Sequence, residues 1–208
     1  MSEMDVPIRL GFLLERTEVM FPFLPGSLYG GVDRLPFVPT PEEEESLRNS
    51  KRVTLLELWQ QYSDLTYTGQ LHGSPHATKF LRNAFAAEGI DLEVIYAEVV
   101  LMPSLEMEGV DQKARGLLLK RLHTFHQQVA SRPVGAQMLG YDVSYPVPGF
   151  HSFLFQPGLR EQPEAPHLDI NGAGLLSTVQ QAGQIVAVAN AMTSSWRPFC
   201  GIAVYSVS

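Results

Sequence analysis

The segment LEVIYAEVVLM, residues 92–102, has the composition of a β-strand. Its β-branched and large apolar side chains favour extended structure. Pro103 follows directly and would end the strand, because proline has no backbone N–H to contribute to a sheet. We therefore predict a central strand of the sheet at residues 92–102.

Other parts of the chain also have strand-like sequences. Residues 9–14 form the first predicted strand, and residues 199–207 form the last, by their alternation and apolar content. Residues 137–145 and 150–155 flank the sequence Pro-Val-Pro-Gly at 146–149. This arrangement predicts a β-hairpin with a proline-bearing loop.

Several helix starts carry capping sequences. In a capping box, a Ser or Thr side chain caps the first turn and a Glu or Gln three residues later reaches back to it. The predicted helix starts are Thr40, Thr54, Ser74 and Ser177. The helix after Thr54 would bury Trp59, and the helix from Ser177 would run to about Met192. A further helix is predicted over about 111–132, ended by Pro133.

The order of these elements predicts a single α+β domain over residues 1–208. Strands and helices follow one another without repeated βαβ units, which favours a mixed or largely antiparallel sheet with helices mainly on one face. Residues 21–41 contain many prolines and glycines, so we predict a long loop there. Its apolar side chains should hold this loop against the core.

Composition excludes several classes of protein. The chain has 208 residues, with 15 Lys and Arg against 22 Asp and Glu, and a formal net charge of -7. Binding of nucleic acid depends on clustered basic residues, so we expect no nucleic-acid partner. No apolar run is long enough for a membrane span, and the segment MSEMDVPIRL is unlike a signal peptide. The single cysteine, Cys200, fits a buried position and a reducing compartment, so we predict a cytoplasmic protein.

The histidines do not form a recognisable metal or catalytic motif. His123 and His126 could share one face of a helix, but the spacing supplies only two ligands. His151-Ser152 and Asp169 supply the residue types of an acyl-transfer triad, without a GxSxG motif around the serine. We therefore expect no metal and no cofactor, and we assign no catalytic residue.

Acidic residues provide the candidate partner-binding site. Glu42, Glu43, Glu44 and Glu45 are consecutive at a predicted helix start, where acids also favour the helix dipole. The run is either a solvated helix start or a patch that steers a basic partner. Asp142 is the lone acid of its predicted strand, and it either pairs with an arginine or belongs to a site.

A distinctive order of strand and turn residues runs through the last third of the chain. It comprises Leu-Gly-Tyr-Asp-Val-Ser at 139–144, Phe150, Ser152 and Leu154, Ile-Asn-Gly-Ala-Gly-Leu-Leu at 170–176, Ala182, and Trp-x-Pro-Phe at 196–199. This order resembles that of uncharacterised bacterial immunity-type proteins of polymorphic toxin systems. Phe155-Gln156-Pro157 stands where such proteins are expected to have a run similar to Ser-Asn-Cys.

The resemblance implies a non-enzymatic protein that neutralises a cognate bacterial toxin by binding it. An acidic inhibitor gains association rate against a basic target through electrostatic steering, which fits the net charge of this chain. The alternative is a small metal-independent enzyme, a hydrolase or transferase, with a site near His151 and Asp169. A structural interaction module is a third hypothesis, and the sequence does not separate it from the first.

Overall fold

The computed structural model describes residues 7–16, 40–49, 57, 73–104, 110–145, 151–155, 159–162, 169–192 and 198–208. The strands are β1 (Ile8–Arg16), β2 (Leu92–Leu101), β3 (Gln137–Tyr145), β4 (His151–Ser152) and β5 (Cys200–Ser206). The helices are α1 (Pro41–Asn49), α2 (Pro75–Ala86), α3 (Gln112–Gln128) and α4 (Val179–Met192). Two short 3₁₀ helices cover Phe153–Phe155 and Leu159–Glu161.

The described strands form one antiparallel sheet in the order β1-β2-β5-β3-β4. β2 pairs with β1 on one side and with β5 on the other, so the predicted interior position of this strand is confirmed. β5 comes from the end of the chain and lies between β2 and β3, which ties distant parts of the sequence together. The predicted fold class, an α+β domain with a largely antiparallel sheet, is confirmed.

Apolar side chains of β1, β2 and β5 pack with α2 and α3 in what we call the main core. Leu81 and Phe85 of α2 are buried in this core. Phe80, next to Leu81, is 50% exposed and faces away from it. Leu118 and Leu122 of α3 are buried in the same cluster. Each such side chain contributes about 1.5–3 kcal/mol through burial.

Helix α4 packs on β3 and β5 and forms a second cluster, which we call the α4 core. Ala182 is fully buried there, and a Cβ added at Gly183 would lie 3.8 Å from the Leu101 side chain. The small residues at these two positions therefore allow α4 to approach the sheet. Ala187 and Ala191 are exposed and take no part in this approach.

The helix starts confirm most of the predicted capping. In α1, the Thr40 N–H donates to Glu43 Oε2 at 2.8 Å and the Glu43 N–H donates to Thr40 Oγ1 at 3.2 Å, which completes a capping box. Ser74 Oγ accepts from the Ala77 N–H at the start of α2. The box of α4 lies one residue later than predicted, because Thr178 and Gln181 form the reciprocal bonds, both at 3.2 Å.

Four predicted elements need correction or lie wholly or partly outside the described residues. The second strand of the hairpin is short, because β4 ends at Ser152 and the chain turns into a 3₁₀ helix at Phe153. α3 ends at Gln128, earlier than predicted, since Val129 is already extended. Residues 21–39 of the predicted loop lie outside the described residues, and Pro41, its predicted last residue, already belongs to α1. Trp59 also lies outside them, and of the helix predicted after Thr54 only Glu57 is described, which is helical. Within the described ranges, no helix combines the length and apolar content needed to cross a membrane.

Candidate functional site

The acidic run occupies the first two turns of α1. Glu43 completes the capping box, and the Glu44 carboxylate lies 3.9 Å from the Arg48 guanidinium one turn later. The side chains of Glu42 and Glu45 are exposed. Two of the four predicted residues therefore have local structural roles, and Glu42 and Glu45 present their carboxylates to solvent on a capped helix.

Asp142, the fifth candidate, lies inside the protein with 2% of its surface exposed. Its Oδ1 accepts hydrogen bonds from the Ser152 hydroxyl at 2.6 Å and from the Val143 amide at 2.7 Å. The bond from Ser152 attaches β4 to β3, and the bond from Val143 lies within β3. The prediction that Asp142 contacts a partner is corrected accordingly, because a carboxylate at this depth does not reach a surface partner.

The alternative enzyme site would bring Ser152 and Asp169 together, but the described hydrogen bonds of these two residues lead to other partners. The Ser152 hydroxyl donates to Asp142, which is not the acid that sequence reasoning paired with it. Asp169 is exposed and its Oδ2 accepts from the Ser177 hydroxyl at 3.1 Å. His151 pairs with Tyr145 through the β4 backbone. The structure thus joins Ser152 to Asp142 and Ser177 to Asp169.

Glu98 of β2 forms a polar cluster that sequence reasoning missed. Glu98 is 6% exposed, and its Oε1 accepts from Arg132 Nη1 and from the Tyr205 hydroxyl, both at 2.9 Å. The guanidinium of Arg132 also lies 4.5 Å from the centre of the Tyr205 ring, within cation–π range. The Arg132 side chain is 46% exposed, so the cluster opens to solvent on that side. In the sequence, the only indication of this cluster was an acid within the apolar second half of β2.

Two tyrosines that interact with the charge of Glu98, Tyr205 and Tyr96, have raised pKa values. Burial raises the pKa of Tyr205 to about 12, helped by its hydrogen bond to Glu98 and by the charge of that carboxylate. Burial, and then the charge of Glu98, raise the pKa of Tyr96 as well. The Tyr96 hydroxyl is buried and has no hydrogen-bond partner among the described residues. Both phenols therefore stay neutral at physiological pH, and Glu98 and Arg132 act as a structural ion pair to which the Tyr205 hydroxyl donates a hydrogen bond.

The histidine pair of α3 lines a pocket at the start of β1. His123, His126 and Gln127 form one side and Pro7 and Ile8 the other, around a volume of about 210 Å³. The Nδ1 of His126 accepts the Arg9 N–H at 3.1 Å. A metal on Nε2 would then require either loss of that bond or a doubly deprotonated ring, so this geometry disfavours metal binding. Within the described ranges, no group of three or more His, Cys, Asp or Glu side chains could hold a metal ion.

Cys200 is fully buried, as its apolar neighbours predicted. Its thiol lies 3.4 Å from the Met102 sulfur. Burial raises the pKa of the thiol, and the charge of Arg115 offsets only part of that effect. The thiolate needed for nucleophilic chemistry is therefore disfavoured.

The two longest parts of the resemblance, 139–144 and 170–176, meet along the outer side of β3. Tyr141 and Leu176 exchange backbone hydrogen bonds at 2.9 and 2.8 Å. Asn171 Nδ2 donates to the Leu139 carbonyl at 2.7 Å, and its Oδ1 accepts from two amides of its own turn. Gly174 completes the turn with φ of 73°, a conformation that glycine adopts without strain. We call this paired segment the β3 edge, comprising 139–144, Ser152 and 170–176.

No family model, no curated protein and no solved structure matches this chain.

Proposed function

We propose that this chain is a non-enzymatic binding protein of the immunity type, which neutralises a cognate bacterial toxin in the cytoplasm by direct contact through α1. The observation that carries the proposal is the exposure of Glu42 and Glu45 on a helix whose start is fixed by Thr40 and Glu43. The resemblance in the last third of the chain supports the toxin as the class of partner.

The charge distribution favours steering of a basic surface. The chain carries a net charge of -7, while Glu98 and Asp142 are buried and hydrogen-bonded inside. Exposed carboxylates on a rigid helix act on diffusing partners over a screening length of about 8 Å at physiological ionic strength. Charges of this kind raise the association rate more than they slow dissociation.

The first experiment asks whether a toxin partner exists. The protein encoded immediately upstream of this chain is made in a catalytically inactive form, mixed with the purified chain, and analysed by size-exclusion chromatography with light scattering. A stable complex, together with relief of toxicity on co-expression of the active form, supports the proposal. An upstream metabolic enzyme that forms no complex contradicts it and favours the enzyme alternative.

The second experiment tests the role of α1 with association kinetics. The double variant Glu42→Gln/Glu45→Gln preserves the capping box and the Glu44–Arg48 pair, so it removes charge without loosening the helix. We expect association to slow about tenfold at low ionic strength and less at physiological salt, with dissociation nearly unchanged.

A matched control makes the same change of net charge elsewhere. Asp91 and Glu161 are also exposed, and neither is on α1. The variant Asp91→Asn/Glu161→Gln should change the association rate by less than about twofold. Equal slowing by both double variants would assign the effect to net charge and remove α1 from the contact surface.

A further inference from the structure

The first residues of β1 are tied to the end of α3 by two hydrogen bonds that both involve Arg9. Its backbone N–H donates to His126 Nδ1 at 3.1 Å, and its guanidinium Nη1 donates to the Val129 carbonyl at 2.9 Å. β1 is the outermost strand on its side of the described sheet, where alternate amides face away from β2, and the Arg9 amide bonds to α3. His126 Nδ1 is the hydrogen-bond acceptor of this amide.

The hydrogen bond fixes the protonation state of the histidine. Nδ1 accepts a bond only while it carries a lone pair, so the neutral ring must hold its proton on Nε2. Protonation of the ring places an N–H on Nδ1, directly opposite the N–H of Arg9. Two donors then face each other, and the bond is lost.

Among the described residues, the groups that act on His126 oppose its positive form. The Arg9 guanidinium faces it from β1, and His123 faces it from the preceding turn of α3. Pro7 and Ile8 contribute apolar surface on the other side of the pocket. The His126 ring is therefore surrounded by two groups that can carry positive charge and by apolar side chains, and its Nδ1 already accepts a hydrogen bond.

We propose that His126 is a proton-operated latch, which holds the N-terminal end of β1 against α3 while neutral and releases it when protonated. This inference does not depend on the identity of any partner. It adds a conformational device between β1 and α3, outside the β3 edge.

The direction of the pH effect follows from the same contacts. Burial, the Arg9 charge and His123 lower the pKa of His126 below its ordinary value. The folded state therefore binds fewer protons than the unfolded state, so the latch contributes its full stability above about pH 6.5. That contribution is lost as the pH falls through the lowered value, and the release is expected in acid.

The test is heteronuclear NMR on the whole chain labelled with ¹⁵N. Wild-type His126 should show an unprotonated Nδ1 and a protonated Nε2 at about pH 7.5, and the hydrogen-exchange protection factor of the Arg9 amide should fall about tenfold or more by about pH 5. A His126 ring protonated on Nδ1 at neutral pH, or an Arg9 protection factor that is independent of pH, would overturn the proposal.

Two variants separate the latch from general acid destabilisation. His126→Asn places a carbonyl oxygen near the position of Nδ1 without a titratable ring, so Arg9 protection should persist to low pH. His123→Asn removes one neighbouring imidazole and should leave the pH dependence in place, with its midpoint moved upward. If Arg9 protection in His126→Asn falls with pH as steeply as in the wild type, the release comes from elsewhere and the latch is excluded.

Discussion

The main core and the β3 edge are held together by different kinds of contact. In the main core, β1, β2 and β5 meet α2 and α3 through apolar side chains, and many positions would accept another side chain of similar volume. At the β3 edge, Gly140, Asp142 and Asn171 each have a specific neighbour at short range. The comparison predicts that substitutions cost less stability in the main core than at the β3 edge of the same sheet.

The largest expected effect is at Gly140, where the β3 edge permits no side chain. Gly140 has φ of 147°, and a Cβ there would lie 2.8 Å from atoms of Asn171, Leu175 and Leu176. Gly140→Ala should therefore lower the free energy of unfolding by about 3 kcal/mol or more, as measured by urea denaturation. Gly116→Ala in α3 is the matched control, because nothing lies within 4 Å of its added Cβ. It should raise stability by about 0.5–1 kcal/mol.

The next effect is at Asp142, which receives two hydrogen bonds inside the β3 edge. Asp142→Asn keeps an oxygen acceptor but loses the charge that strengthens both bonds, and we expect a loss of about 2 kcal/mol. Ser152→Ala should cost about 1 kcal/mol. In a double-mutant cycle the two changes should be non-additive, with a coupling of about 1 kcal/mol. Strict additivity would mean that the Ser152 hydroxyl and the carboxylate do not stabilise each other.

The main core should respond more gently to a conservative change. Ile95 is fully buried in β2 among apolar neighbours. Ile95→Val removes one methylene, and we expect a loss of about 1 kcal/mol by urea denaturation. A loss from Ile95→Val larger than that from Asp142→Asn would reverse the comparison between the two regions.

The same contrast explains how much of the fold the sequence could predict. Periodicity and β-branched content identified β2, α2, α3 and β5, because burial of apolar faces is what stabilises the main core. The prediction that the second hairpin strand continues beyond Ser152 was wrong. The Ser152 hydroxyl bonds to Asp142, and the chain turns into a 3₁₀ helix at Phe153. Such a path depends on a side chain from another strand, which local sequence does not contain.

The candidate site shows the same limit. The exposed acids of α1 could be predicted, because a consecutive run of four glutamates at a helix start has no room to be buried together. The burial of Asp142 and the Glu98–Arg132 pair could not, since both depend on partners brought by sheet pairing and by the chain after α3. A lone acid in an apolar strand is a sign of burial as much as of a site.

The smallest expected effect uses the two capping boxes, one at the start of α1 and one at the start of α4. They have the same pair of reciprocal hydrogen bonds, but Glu43 is charged and Gln181 is neutral. Each change to alanine removes one reciprocal bond and should cost about 0.5–1 kcal/mol.

The two boxes should differ in their response to salt. Glu43 also interacts with the helix dipole, and that part of its contribution is screened by ions. The cost of Glu43→Ala should therefore shrink between low and high ionic strength, while the cost of Gln181→Ala stays the same. Urea denaturation of both variants at two salt concentrations measures this. If the cost of Gln181→Ala changed with salt as much as the cost of Glu43→Ala, the salt effect would belong to the whole protein. The charge of Glu43 would then make no separate contribution to the free energy of unfolding.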